Sequence, residues 1–464
     1  MLQRSMPFLI SVPILLAAPF AVAQPAPPSA PEAPSLDARL AAVLDAPGGL
    51  DARAVADRAR AASTAGLRAD AEVARAAAKR VEVDRAFVPR VGVTARYTRL
   101  SETDPTVIDG LPIEVAIPGP VPNQLAAGVS LGLPVSDWFL RLPVAQEASA
   151  RGEVARRAQA EVARRRAALE AVLAYYQWAR TRLVAVVAEA GLEDARAHLT
   201  AAERLARAEL ASPADVKLAE AGVARASLGL DRARHGEALL AEQLRRLLDL
   251  PDGAPLAIGE DLTVPPFAVG DAPSGPEALS EALRARPESR ALAALDAALA
   301  AERDVAGMGR LPRLDVVANL SVSNPSPRGL QNEDETVVVW DASAVLSWSL
   351  GDLLGADTVD RDVAARERGV AADREALADG VALELEAARA AIRDADSAAT
   401  ASAVELAAAE EAFRVRTRLF ALGKATSLEL TDAETALTSA RLGVVDARIA
   451  RREGEARLAH ALGR

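Results

Sequence analysis

From Val363 to Phe420 an apolar residue returns every seven positions: Val363, Val370, Leu377, Leu385, Ile392, Ala399, Leu406, Phe413 and Phe420, with one step of eight. A sevenfold period held this long is the seam of a coiled coil, and the single eight is a local adjustment of its phase. A helix from Ala356 to Leu422 spans roughly 100 Å at about 1.5 Å per residue, far beyond a normal globular helix. The fold must be elongated, and the composition agrees. Half the residues are hydrophobic but only 3% are aromatic. That balance, mostly Ala, lacks the large side chains of an enzyme core and suits long helices that approach closely.

The sequence also repeats itself once. A helical stretch leads into Val88-Pro89-Arg90 in one half and Leu311-Pro312-Arg313 in the other. Proline ends the helix there because the residue before it avoids the α region. Alternating segments follow, VGVTARYTRL from Val91 and LDVVANLSVS from Leu314, and their period of two predicts strands. After a loop comes a second alternating strand. Its apolar face is Ala127, Val129, Leu131, Leu133 and Val135 in the first half, and Ala342, Ala344, Leu346, Trp348 and Leu350 in the second, at a constant offset of 215 from Ala127 to Ala342. Each half then enters a long helix, turns, and returns in a shorter helix ending near Leu250 or Leu462. The helix before each strand pair is equally short, so two short helices laid end to end match one long one.

These patterns set the expected boundaries. The first repeat covers 50–250, with strands at 90–100 and 125–136, and the second covers 277–464, with strands at 313–323 and 337–351. A proline-rich, non-helical connector, 251–276, joins them. Residues 24–49 are rich in Pro and Ala and read as an extended spacer. Residues 1–23 read as a secretory signal, with Arg4, an apolar stretch from Pro7 to Pro19 and a small-residue cleavage site at Ala21-Val22-Ala23. The competing reading, an uncleaved anchor, meets an apolar run broken by Pro13 and Pro19 and short for a membrane span.

Several chemistries are absent from the pattern. Without cysteine there is no disulfide and no thiolate ligand. The net charge is −11 and no basic patch is interleaved with aromatics, which argues against nucleic acid. His198, His235 and His460 share no metal-ligand spacing and read as solvated or groove-facing helix positions. Arg164-Arg165-Arg166 reads as a solvated helix face. No phosphate-cradling loop or nucleophile motif is present.

Strands of about ten residues suit a tilted crossing of a membrane within a barrel. Tyr97, Trp138, Phe139, Trp340 and Trp348 lie in the strand regions, several at strand ends, where interfacial girdles belong. Four strands are too few to enclose a lumen, so this reading needs several chains to share one barrel. The competing reading is a small soluble sheet capping a coiled coil.

The long helices end at two related turns, RAELASPADVKLAEAGV (Arg207–Val223) and ALGKATSLELTDAETAL (Ala421–Leu437). Gly423 and Lys424 mark one turn and Ser212 and Pro213 the other. Ser212 with Asp215, and Thr426 with Glu429, fit N-caps with an acid three residues on. Glu429 and Asp432, spaced i, i+3, share one helix face. Asp432 lies beyond the cap.

The duplicated order, the -PR- strand starts and the motif from Gly423 to Ala433 together resemble the TolC-type outer-membrane channel proteins of Gram-negative tripartite efflux pumps and type I secretion systems. The resemblance runs from about Leu50 to Arg464. It implies a mainly α fold with a β-barrel portion: a homotrimer in which each chain gives four strands to a twelve-stranded barrel in outer-membrane lipid, continued by an α-helical tunnel across the periplasm. It implies a passive export duct with no cofactor and no catalysis. The implied partners are a periplasmic adaptor and an inner-membrane transporter of RND, ABC or MFS type. By this resemblance Glu429 and Asp432 line the periplasmic constriction, Asp215 constrains it, and Phe420 packs between helices; capping and pore lining are compatible for Asp215 and Glu429, and Asp432, beyond the cap, is the better pore candidate. Three positions depart from the family pattern. Phe420 replaces a hydrogen-bonding tyrosine, Ala425 replaces a basic residue beside Lys424, and Glu209 stands where the second repeat has Gly423. The alternative function is a periplasmic structural coiled coil without a pore.

Overall fold

The computed structural model describes residues 36–108, 115–117, 119–262, 275–326, 328 and 333–464; the segment read as a secretory signal lies outside them. The first repeat comprises α1 (Leu36–Val43), α2 (Ala52–Ala62), α3 (Thr64–Arg85), β1 (Arg90–Arg99), a small hairpin of β2 (Thr106–Ile108) and β3 (Val115–Ile117), β4 (Asn123–Leu133), α4 (Val135–Phe139), α5 (Arg141–Arg207) and α6 (Pro213–Leu247). The second comprises α7 (Pro276–Ala285), α8 (Pro287–Gly307), β5 (Arg313–Asn324), β6 (Val337–Ser347), α9 (Leu350–Ala421) and α10 (Ser427–Ala461).

Helices α5 and α9 run for 67 and 72 residues, about 100 and 110 Å. Both α3 and α6 pack along α5, and both α8 and α10 along α9, while contacts of α5 with α8 and α10 join the repeats. The places where short helices meet end to end hold the main cores. In the first repeat, Val55 and Ala59 of α2 and Leu244 near the end of α6 surround Tyr175, Trp178 and Val187 of α5, with Ile258 of the connector inserted among them. In the second, Ala278 and Ala282 of α7 and Leu458 of α10 close on Val381, Leu385 and Ile392 of α9. Burying these side chains is worth about 1.5–3 kcal/mol for each large one, which is what fastens two short helices to a long one.

The structure departs from the sequence reading in four places. The helix before each strand pair is two helices. Ser63 is extended and its hydroxyl oxygen accepts the Gly66 N–H at 3.0 Å, while Arg286 is extended before Pro287. The two breaks stand 223 residues apart, as do Pro89 and Pro312, so the break belongs to the repeat. Strand β4 ends at Leu133 and β6 at Ser347, short of 136 and 351. Val135 and Leu350, which continue the alternation, instead begin helices α4 and α9, with Pro134 ending the ladder in the first case. The spacer is not extended where it is described, because Leu40 and Leu44 dock the α1 segment into the first core. Arg164 and Arg165 are not a solvated face: Arg164 pairs with Asp70 of α3, and Arg165 donates to the Gly463 carbonyl at 2.6 Å.

The four long strands form one antiparallel sheet in the order β1-β4-β5-β6. Its register sorts side chains into two unlike faces. Across one run the rows Val93–Val129–Leu320–Trp340, Ala95–Ala127–Val322–Val338 and Val91–Leu131–Ala318–Ala342, all apolar. Across the other runs Gly92–Ser130–Asn319–Asp341. Val93 and Trp340 are 76% and 71% exposed, so within one chain the apolar face is bare. Among the described residues β1 and β6 each pair on one side only.

Candidate functional site

At the end opposite the sheet both long helices stop in the same hydrogen-bonded turn. After α9, the Gly423 N–H donates to the Phe420 carbonyl at 2.9 Å and the Lys424 N–H to the Leu419 carbonyl at 2.8 Å. After α5, the Glu209 N–H reaches Ala206 at 3.0 Å and the Leu210 N–H reaches Leu205 at 2.9 Å. This Schellman pattern needs a left-handed residue, supplied by Gly423 at φ 67° and by Glu209 at φ 61°.

Both returning helices open with a capping box. The Ser212 N–H donates to Asp215 Oδ2 at 3.0 Å and the Asp215 N–H to Ser212 Oγ at 3.2 Å. In the second repeat the Thr426 N–H donates to Glu429 Oε2 at 2.9 Å and the Glu429 N–H to Thr426 Oγ1 at 3.3 Å. Arg416 of α9 occupies the other Glu429 oxygen at 3.0 Å. The Asp215 carboxyl sits below its usual range, chiefly because the Ser212 hydroxyl donates to it. Glu429 is likewise lowered, first by the Thr426 N–H and then by Arg416. Asp432 is exposed on α10 and enters no hydrogen bond or ion pair among the described residues, so its charge stays available. Lys424 is also exposed. A cleft of about 570 Å³ separates the two turns, lined in part by Leu205, Glu209, Asp215, Phe420, Lys424 and Glu429.

The turns are tied to each other. Phe420 is buried against Ala202 of α5, Ala219 of α6 and Leu430 of α10. Ser427, the first residue of α10, donates its N–H to Asp215 Oδ1 at 3.3 Å and lies 2.8 Å from His198 Nε2. Sequence reasoning missed His198: it is buried, not solvated or groove-facing. Its partner is 229 residues away, so no local spacing marks it. His235 is exposed and His460 half-buried. Above this point the α5–α10 seam continues in polar pairs: Asp194 with Arg441 at 3.1 Å, Arg180 with Asp446 at 2.7 and 3.0 Å, and Gln177 with Glu453.

Residues 278–464, nearly the whole second repeat, match the outer membrane efflux protein family. Among curated proteins no relative matches the sequence. Solved structures of similar fold include CusC, described as forming a transmembrane channel (TM-score 0.71, 16% identity, 89% of this chain and 93% of that one). The outer membrane channel CmeC of Campylobacter jejuni is similar at a TM-score of 0.71 and 13% identity, over 90% of this chain and 86% of that one. The open state of the MtrE outer membrane channel of Neisseria gonorrhoeae is similar at 0.67 and 20% identity, over 89% and 88%. Identities this low establish the shared fold.

The aromatic residues of the strand regions fall toward the two ends of the sheet. Trp340 and Trp348 stand eight residues apart, one near each end of β6, about 27 Å along a strand. Tyr97 lies at the Trp340 end and Phe139, exposed on α4, at the Trp348 end. Trp138 is half-buried beside it. No helix among the described residues is long and apolar enough to cross a membrane.

Proposed function

We propose that three copies of this chain form an export duct: a twelve-stranded barrel in the outer membrane continued by a helical tunnel whose tip is the periplasmic entrance. The carrying observation is the sheet, whose apolar face is bare and whose two outer strands have open edges. An exposed apolar sheet edge invites pairing, and joining β1 of one copy to β6 of the next closes a ring with polar residues inside and apolar residues toward lipid. At the entrance, Asp432 contributes a ring of charge, joined by Glu429 and Asp215 once their capping contacts are met. The duct works passively beneath a periplasmic adaptor and an inner-membrane transporter, in an efflux pump or a type I secretion system.

Membrane extraction and matched arginines test this reading. The wild-type chain stays in the membrane fraction through carbonate and leaves it only with detergent. Val129→Arg, on the apolar face, costs about 2–4 kcal/mol near the bilayer midplane and depletes the chain from that fraction. Ser130→Arg, on the other face, remains inserted and changes conductance. A wild-type chain released by carbonate is a periplasmic coiled coil without a pore.

A further inference from the structure

Ser427 and His198 are 0% and 4% exposed, and around them converge both helices of each tip hairpin. The Ser427 Oγ lies 3.1 Å from the Asp215 backbone carbonyl, to which it donates, and 2.8 Å from His198 Nε2. On the far side of the ring, Nδ1 lies 3.1 Å from Glu434 Oε1, a buried oxygen with no hydrogen-bond partner among the described residues. Phe420 holds the ring edge-on at 5.0 Å between centroids. The residue standing where the family resemblance expects a hydroxyl thus buttresses an imidazole.

Counting protons shows what this arrangement lacks. A neutral imidazole carries one N–H and a serine one O–H. With the ring proton on Nε2, Ser427 keeps the Asp215 carbonyl, but Nδ1 turns a lone pair toward a carboxylate. With the proton on Nδ1, Glu434 is met, but Ser427 must turn to Nε2 and give up the Asp215 carbonyl. Only the doubly protonated ring serves all three contacts. We propose that His198 is a protonation-responsive latch between the two repeats, tightest when its ring is charged.

Charged and titratable groups face the node from each element packed against it. On α6 the Asp215 carboxylate faces the node, and on α10 Glu434 does. On α5 Asp194 lies one turn away, its carboxyl pushed up by burial and held by Arg441 of α10 at 3.1 Å. On α9 the facing group is the Phe420 ring, and Arg416 is engaged by Glu429. Two carboxylates thus face the ring, while Arg416 and Arg441 are each already paired. Thr431, buried on the same face of α10, has an Oγ1 without a hydrogen-bond partner among the described residues.

The consequence for transport rests on the tip being the entrance, so the test separates the two ideas. Amide hydrogen exchange is measured on the full chain in detergent, corrected for the intrinsic pH dependence of exchange, between about pH 8 and pH 5. Protection of the first turn of α10 should rise about tenfold on acidification, the gain expected from one added charge-assisted hydrogen bond. Both H198Q and E434Q should flatten this response, and the wild-type response surviving in either overturns the latch. Bilayer conductance is recorded on the same preparations. A pH-responsive latch in a chain that never conducts sinks the entrance reading and keeps the latch. Conductance without pH-responsive protection sinks the latch and keeps the entrance.

Discussion

At the first tip the chain turns at Glu209, with φ 61°, and at the second at Gly423, with φ 67°. Both turns close the same two backbone hydrogen bonds and both lead into a capping box. They differ at the first helical residue, which is Pro213 in one and Ser427 in the other. A helix tolerates proline there because that N–H has no intrahelical partner. The same freedom lets Ser427 aim its N–H and hydroxyl outward, at Asp215 and His198. Duplication has kept what the backbone requires, and the repeats have diverged where the backbone is indifferent.

The sharpest way to break this comparison is to make the second turn like the first. Ser427→Pro keeps the helix start but removes every contact Ser427 makes across the tip and strands a buried imidazole. Local opening of the tip should become easier by about 3 kcal/mol, read as roughly a hundredfold loss of amide protection in α10. The reciprocal Pro213→Ser should change protection little, since no histidine stands at Ala412, the counterpart of His198 at the 214-residue offset from Glu209 to Gly423. Equal effects from the two substitutions would refute the asymmetry.

Next in size is the charge at the proposed entrance. Replacing Glu429 and Asp432 together with alanine should raise single-channel conductance several-fold at low salt, where screening is weakest, and weaken cation preference. Asp432→Ala alone should account for most of the change in selectivity, because the Glu429 carboxylate is already held by Thr426 and Arg416. Unchanged selectivity in the double variant would leave Glu429 and Asp432 as surface and cap residues.

The pH profile compares latch with caps. Asp215 and Glu429 both have lowered carboxyl values in the folded chain. A depressed carboxyl stabilises the fold above its unfolded value of about 4 and loses that contribution as pH falls through the lower folded value. The caps therefore hold until below about pH 4, while the latch tightens from about pH 8 toward pH 5. Tip protection should pass through a maximum between these ranges, and a monotonic profile would contradict the combination. The smallest effect is at the turn itself. Glu209→Gly should stabilise the first tip by about 1 kcal/mol by relieving a side chain at positive φ, with Gly423→Glu costing the second a similar amount, both readable by thermal melting.

Much of this molecule is legible in its sequence because long, regular elements bury one face at a fixed period. The sevenfold seam from Val363 to Phe420, the alternation from Val91 and the -PR- starts are all local. So are the caps, since Ser212 and Asp215, or Thr426 and Glu429, stand three residues apart. What stayed hidden depends on distant pairing or on weak local signals. The break at Ser63 rests on a single capping hydroxyl. The docking of Leu40 and Leu44 requires a core built from Tyr175, Trp178 and Ile258, more than a hundred residues onward. His198 acquires its role only when α10 returns beside α5.

The central claim, that this chain is a trimeric pore with an acidic entrance, is tested most directly in planar bilayers with the detergent-purified protein. Discrete single-channel steps with cation preference at low salt, reduced in preference by Asp432→Ala, are the predicted result. A protein that crosslinks as a monomer and produces no steps at any pH would contradict it.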